Sequence, residues 1–159
     1  MRMSSHDYTF TDYWSIDSKQ DFVWAALERY QDWSSWWGGL EKVEMLDEYI
    51  GVGTRFRCTW RGAAWYKLRL TLTITQYNHG KEITFDSEGD LVGQGDFKLY
   101  RHDRMAKMTI NWHVRTVKWW MNVFGPLLRP VFIMNHAKIM NAGERGLQQY
   151  IGGQSHEKV

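Results

Sequence analysis

The chain has 159 residues, with 20 basic and 18 acidic side chains and a formal charge of +2. That length fits one domain whose core needs no staple, and the charge balance alone points to neither nucleic acid nor an anionic membrane. The single cysteine, Cys58, excludes a disulfide framework and suits a reducing, cytoplasmic setting; the opening Met1–Asp7 has no apolar run of a signal peptide, and no stretch approaches the length of a spanning helix.

Residues 8–16 alternate. Tyr8, Phe10, Trp14 and Ile16 share one face with Asp12, and Thr9, Thr11, Tyr13 and Ser15 share the other, the period of a half-buried strand. Ser18, with Asp21 three residues on, approximates a capping box. Phe22, Val23, Ala26, Leu27 and Tyr30 give the helix that follows its apolar stripe. The aromatic segment Trp33-Ser34-Ser35-Trp36-Trp37, closed by Gly38-Gly39, has room for one helical turn.

From residue 40 to about 117 the period is two. Val43 and Met45 mark a weak strand. Phe56, Cys58 and Trp60 mark the next, and Leu68, Leu70, Leu72 and Ile74 the clearest. Asn78-His79-Gly80 is a hairpin signal, followed by Ile83 and Phe85. Phe97 and Leu99 precede the turn His102-Asp103-Arg104, and Met108, Ile110, Trp112 and Val114 complete the last strand. Apolar and polar faces alternate throughout, so the sheet is antiparallel and wet on one side. A tight turn at His79-Gly80 sets Thr73 against Asp86 and Arg69 against Asp90. Opposite charges then neutralise each other across strands instead of gathering into a nucleic-acid groove. A turn at residues 103–104 sets Leu99 against Met108, Gly95 against Trp112 and Gly93 against Val114, a glycine beneath a tryptophan.

After Thr116 the period changes. Trp119–Phe124 is a short apolar segment, broken at Gly125-Pro126. A helix runs from Pro126 or Pro130, since proline suits a first turn, to Tyr150, and Gly152-Gly153 ends it. Leu128, Phe132, Ile139 and Tyr150 lie along its buried line, with Gly143 and Gly146 in the same stripe; Lys138, Asn141, Glu144, Arg145 and Gln148 lie away from it. Only this helix is long enough to cover the apolar face of the sheet. The expected fold is therefore α+β: a curved antiparallel sheet of about seven strands wrapped around a long C-terminal helix, with two short helices after the first strand. It forms one domain over 1–159, with a core at about 8–151.

Specific segments sharpen this. They are Val23-Trp24, Trp33 to Gly38, Gly51-Val52-Gly53-Thr54, Gly89 to Gly95, Trp112-His113-Val114-Arg115-Thr116, Trp120-Met121-Asn122, Pro126 to Phe132, Asn135-His136, Met140, Gly143 and Gly146-Leu147. Together they resemble the polyketide cyclase/dehydrase-type branch of the START/Bet v 1-like (SRPBCC) superfamily over about residues 8–151. The resemblance implies a helix-grip fold and a deep hydrophobic cavity. It implies no single activity, because lipid carriers, receptors and cyclases share that fold.

Aromatic residues make up 16% of the chain. They suit either a ring-lined cavity or a core packed with its own rings. The first reading is binding of a hydrophobic small molecule such as a lipid, isoprenoid or polycyclic aromatic. Phe56, Trp60, Leu70, Leu72, Phe85 and Trp112 would line the sheet side. Phe132, His136, Ile139 and Met140 would line the helix side, with Asn135 and His136 orienting a polar head group. The second is a cyclase or dehydratase working on a polyketide-like substrate in the same cavity, its catalytic residues unknown. The third is an interaction module with a self-filled core. His136 has no carboxylate three or four residues away to tune it. Asp12, the one carboxylate on an inward strand face, is expected to be solvated at the open end of the sheet. Cys58 reads as an inert buried thiol. Six histidines without metal-pair spacing predict no metal. No cofactor, no nucleic acid and no stable membrane insertion are expected, and the chain is expected to be a monomer or homodimer.

Overall fold

A computed structural model describes residues 6–62 and 66–157. The opening Met1–Ser5 and the side chain of His156 lie outside the described residues. Seven strands form one antiparallel sheet: β1 (Asp7–Ile16), β2 (Leu40–Met45), β3 (Arg55–Arg61), β4 (Lys67–Asn78), β5 (Glu82–Gly89), β6 (Leu91–His102) and β7 (Met105–Thr116), in the order β1-β7-β6-β5-β4-β3-β2. Between β1 and β2 lie α1 (Gln20–Glu28), a 3₁₀ turn (Tyr30–Asp32) and α2 (Trp33–Trp36). After β7 come α3 (Trp119–Val123) and α4 (Gly125–Glu157). The curled sheet and the long closing helix are the helix-grip architecture.

The expected registers hold: Thr73 faces Asp86, Leu99 faces Met108, Gly95 faces Trp112 and Gly93 faces Val114. The ring across Gly95 is nevertheless not Trp112. A Cβ on Gly95 would lie 2.6 Å from the Phe85 ring, and Phe85 in turn meets Trp112 edge-on at 4.9 Å between centroids. The Arg69–Asp90 pair is also different in kind. The Asp90 carboxylate accepts the Arg69 backbone N–H at 2.8 Å and pairs with Lys118 at 3.4 Å, because β5 ends at Gly89 and Asp90 turns back over the strand end.

Helix α1 begins without a side-chain cap, at Lys19 and not Ser18. Val23, Ala26 and Leu27 face inward as the pattern requires, but Phe22 is 52% exposed and Trp24 takes the buried place. Tyr30 belongs to the 3₁₀ turn.

Helix α4 is longer than the sequence pattern suggests. It starts at Gly125, contains Pro130, and continues through Gly152-Gly153, so it spans about 50 Å. Its buried line is Met140, Gly143, Leu147 and Ile151; Leu128, Phe132, Ile139 and Tyr150 flank it, half-buried. Two side chains assigned to the solvent side fasten it to the edge strand. Glu144 accepts the Ser15 backbone N–H at 2.8 Å, and Gln148 accepts that of Asp17 at 2.7 Å. Gly143 in the buried line and Gly146 beside it serve close packing. A Cβ on Gly146 would lie 1.7 Å from the Trp36 carbonyl oxygen, and one on Gly143 would meet Trp37 and Trp14 at 2.5 and 2.6 Å. Residues 33–39 thus sit directly on α4.

Candidate functional site

Between α4 and the concave face lies an interior divided in two. The first chamber, about 110 Å³, sits under α3 and the first half of α4. The second, about 90 Å³, sits under α1 and the 3₁₀ turn. Trp37, Trp60 and Trp112 line both, so these three rings are the wall between them. Trp37 meets Trp60 edge-on at 5.1 Å, and its indole N–H donates to the Ile139 carbonyl at 3.0 Å. That bond ties the wall to α4.

All eleven expected lining residues reach one chamber or the other. Trp60, Leu70 and Trp112 from the sheet line the first, as do Phe132, Asn135, His136, Ile139 and Met140 from α4. Phe56, Leu72 and Phe85 line the second, alongside the shared Trp60 and Trp112. Inward parity placed these side chains on the correct face but says nothing of the dividing wall.

The polar groups sit at particular places. His136 Nε2 lies 2.7 Å from Asp12 Oδ2, the ring N–H donating to the carboxylate, and both side chains are about a fifth exposed. The imidazole stacks on Phe10, centroids 3.8 Å apart. Asp12 is therefore not a solvated strand-end carboxylate. It lies under α4, and the partner of His136 comes from a strand 124 residues away in sequence instead of from the same helix. With Nε2 engaged, Nδ1 is the ring nitrogen that remains for a further hydrogen bond.

Tyr8 and Met121 are among the lining residues of the first chamber that the sequence reading of the site does not include. Tyr8 is 3% exposed, and its hydroxyl has no hydrogen-bond partner among the described residues. Burial raises its pKa, while Arg129, stacked over the ring at 4.7 Å, lowers it. Met121 from α3 closes the chamber from above. The parity of β1 already put Tyr8 inside; Met121 carries no such signal in a five-residue helix.

The second chamber has its own polar end. Glu28 Oε1 accepts the Trp24 indole N–H at 2.7 Å and the Tyr77 hydroxyl at 2.5 Å, with His79 Nδ1 at 3.2 Å. Burial, and then the Glu28 carboxylate, push the Tyr77 phenol up to about 12. Cys58 also lines this chamber at 1% exposure, and burial pushes its thiol up to about 12. A thiol held protonated is a poor nucleophile. Iodoacetamide at pH 8 should therefore leave Cys58 unlabelled in the folded protein and label it fully in denaturant. Rapid labelling of the native protein by intact-mass analysis would contradict this placement.

No family model matches the sequence, and no curated protein matches it. Solved structures do. The chain superposes on TTHA0849 from Thermus thermophilus with a TM-score of 0.80 at 16% identity, covering 93% of this chain and 99% of that one. It superposes on the Zhui aromatase/cyclase from Streptomyces sp. R1128 with a TM-score of 0.69 at 15% identity, covering 92% and 94%. Against Ara h 8.0201 the TM-score is 0.65 at 14% identity, covering 92% and 99%. At such identities the likeness is one of fold: the chain has the helix-grip fold that the polyketide aromatase/cyclases share with the Bet v 1-type allergen.

Proposed function

We propose that this protein binds a hydrophobic small molecule in the chambers beneath α4, with His136 holding the ligand's polar group. The observation that carries this is the first chamber itself: walls of rings and aliphatic side chains around one imidazole already oriented by Asp12. The buried Tyr8 hydroxyl, without a partner among the described residues, is a second group that a ligand oxygen would satisfy. Burial of apolar ligand surface at roughly 25 cal/mol per Å² would supply the affinity.

Size restricts the ligand. A dry cavity of roughly 150 Å³ holds a benzene, and pockets for drug-sized ligands start at roughly 300 Å³. Each chamber is smaller than that, so a lipid, isoprenoid or polycyclic aromatic would need Trp37 and Trp60 to part and join the two. Trp60→Ala removes one of the three rings of the wall. It should tighten binding of a two- or three-ring aromatic probe relative to a single-ring one, measured by fluorescence titration. Native mass spectrometry of protein purified from its source should show a co-purifying apolar ligand. A clean mass together with no probe binding by either the parent or the Trp60 variant would overturn the proposal in favour of a self-filled core.

The Asp12–His136 contact favours a second reading, acid–base catalysis. A carboxylate that holds an imidazole in an apolar chamber is an arrangement suited to moving a proton. Cyclisation and dehydration of a polyketide-like substrate need such transfers, and a fold neighbour is an aromatase/cyclase. On this reading Asp12→Asn would cut turnover of such a substrate by about 10²–10⁴-fold with binding retained. Equal turnover by the variant would remove it.

A further inference from the structure

The second chamber holds a single charged group. Its lining is otherwise rings and aliphatic side chains with the Cys58 thiol, and no lysine, arginine or histidine is part of it. The charged group is Glu28, the last residue of α1. A carboxylate against apolar walls is costly unless it is hydrogen-bonded and paired. Here the hydrogen bonds come from neutral groups: the Trp24 indole N–H at 2.7 Å and the Tyr77 hydroxyl at 2.5 Å, both on Oε1. They fix the side chain without cancelling its charge.

No lysine or arginine among the described residues pairs with Glu28. Arg29, the next residue, interacts with Tyr150 on α4 instead. His79 Nδ1 lies 3.2 Å from Oε1, but it is charged only when protonated and its side chain is 73% exposed. All three contacts fall on Oε1, so Oε2 has no partner among the described residues. The chamber also offers aromatic faces. Trp33 and Tyr30 both pack on Phe56, at 5.8 and 5.7 Å between centroids, and all three rings line it. Such faces attract cations, and a carboxylate beside a low-dielectric wall attracts them more strongly than one in bulk water.

We infer that the second chamber seats an organic cation, a primary amine whose ammonium pairs with Glu28 Oε2 and whose apolar body lies among the rings. The Glu28 side chain is 31% exposed, so the ammonium keeps part of its hydration while the body is buried, which lowers the cost of pairing the two charges. A neutral alcohol could donate to the same oxygen but would gain no charge-assisted bond, and an anion would be repelled. The space of about 90 Å³ suits a slender chain better than fused rings. The inference rests on the reading that these chambers bury apolar ligand surface. It adds a charge requirement on the far side of the tryptophan wall from His136.

Calorimetric titration with hexylammonium, 1-hexanol and hexanoate at neutral pH tests this, since the three share an apolar chain of nearly equal length and differ in head group. The parent should bind hexylammonium at least about tenfold more tightly than 1-hexanol, and hexanoate least of the three. The Trp24 indole N–H signal in a nitrogen–proton correlation spectrum should move when hexylammonium binds, because that group shares the carboxylate. Glu28→Gln keeps an oxygen that accepts from Trp24 and Tyr77, so it should fold, and its preference for the ammonium over the alcohol should vanish. A parent that binds 1-hexanol as tightly as hexylammonium would overturn this inference and leave the apolar chamber standing. A preference that Glu28→Gln retains, or ammonium binding that leaves the Trp24 signal unmoved, would overturn it too, because the cation then sits elsewhere. Binding of none of the three would overturn it together with the reading of the second chamber as a ligand site. The parent's preference and the Trp24 signal need no variant, so they decide the matter even if Glu28→Gln does not fold.

Discussion

Gly146→Ala should destabilise the fold by about 3 kcal/mol, at the upper end of the usual cost of overpacking. The added methyl would lie 1.7 Å from the Trp36 carbonyl oxygen. The obstacle is backbone, so no rotamer change relieves it, and α2 and α4 must separate. That separation would disturb Trp36 and Trp37, which stack at 5.5 Å, and with Trp37 the wall between the chambers. Gly152→Ala, in the same helix, provides the control. Nothing lies within 4 Å of its added methyl, and alanine is the better helix former by about 1 kcal/mol, so that variant should be slightly more stable than the parent. Urea unfolding of both variants measures the two signs. A Gly146 variant as stable as the parent would show that α2 does not rest on α4 as described.

The strands were legible in the sequence because parity in a sheet is unforgiving: a slip of one residue exposes the whole apolar set. Tyr8 through Ile16, Phe56 through Trp60 and Leu68 through Ile74 therefore fell on the correct face, and the two hairpin turns fixed the pairing of their strands. Helix detail was less legible. Phe22 and Trp24 are two residues apart, and which of them is buried depends on how α1 rotates against the sheet. There Trp24 gains a Tyr77 neighbour and the Glu28 carboxylate. The end of α4 was misplaced because glycine pairs usually stop helices, yet Gly152 and Gly153 meet nothing that forces the chain to turn.

The site was legible as a set of lining residues and hidden as geometry. Asp12 was seen as the one inward carboxylate and His136 as the one histidine near the buried helical line. Their partnership was missed because a search along the helix finds only neighbours three and four residues away. The angle at which α4 crosses β1 creates the contact. It is set by packing at Gly143 and Gly146 and by the Glu144 and Gln148 bonds to the edge strand, none of which has a local signature. The tryptophan wall has the same origin. Parity placed Trp60 and Trp112 inside, whereas Trp37 follows α2 and is held by its bond to the Ile139 carbonyl, which no strand period reveals.

His136→Phe should lower stability by about 1–2 kcal/mol whether or not a ligand is bound, the lower part of the range for an unmet buried polar group. Phenylalanine keeps the stacking on Phe10 and most of the ring volume, so packing changes little. What is lost is the partner of Asp12. A carboxylate about four-fifths covered beneath α4 is then left with an unmet acceptor, at a cost of about 1–3 kcal/mol for a buried group; the remaining exposure to water brings it toward the lower end. Asp12→Asn alone should cost somewhat less, since an amide can still accept from the ring. The Asp12→Asn/His136→Phe pair should recover part of the loss, because no charge remains to be stranded, and a double-mutant cycle should give a coupling of about 1 kcal/mol. Ligand affinity supplies the second readout. If His136 also holds the ligand's polar group through Nδ1, its phenylalanine variant should bind about tenfold more weakly than its stability loss alone explains. Additive stability losses in the cycle would show that the Asp12–His136 bond contributes nothing, and unchanged ligand affinity would confine His136 to holding β1 against α4.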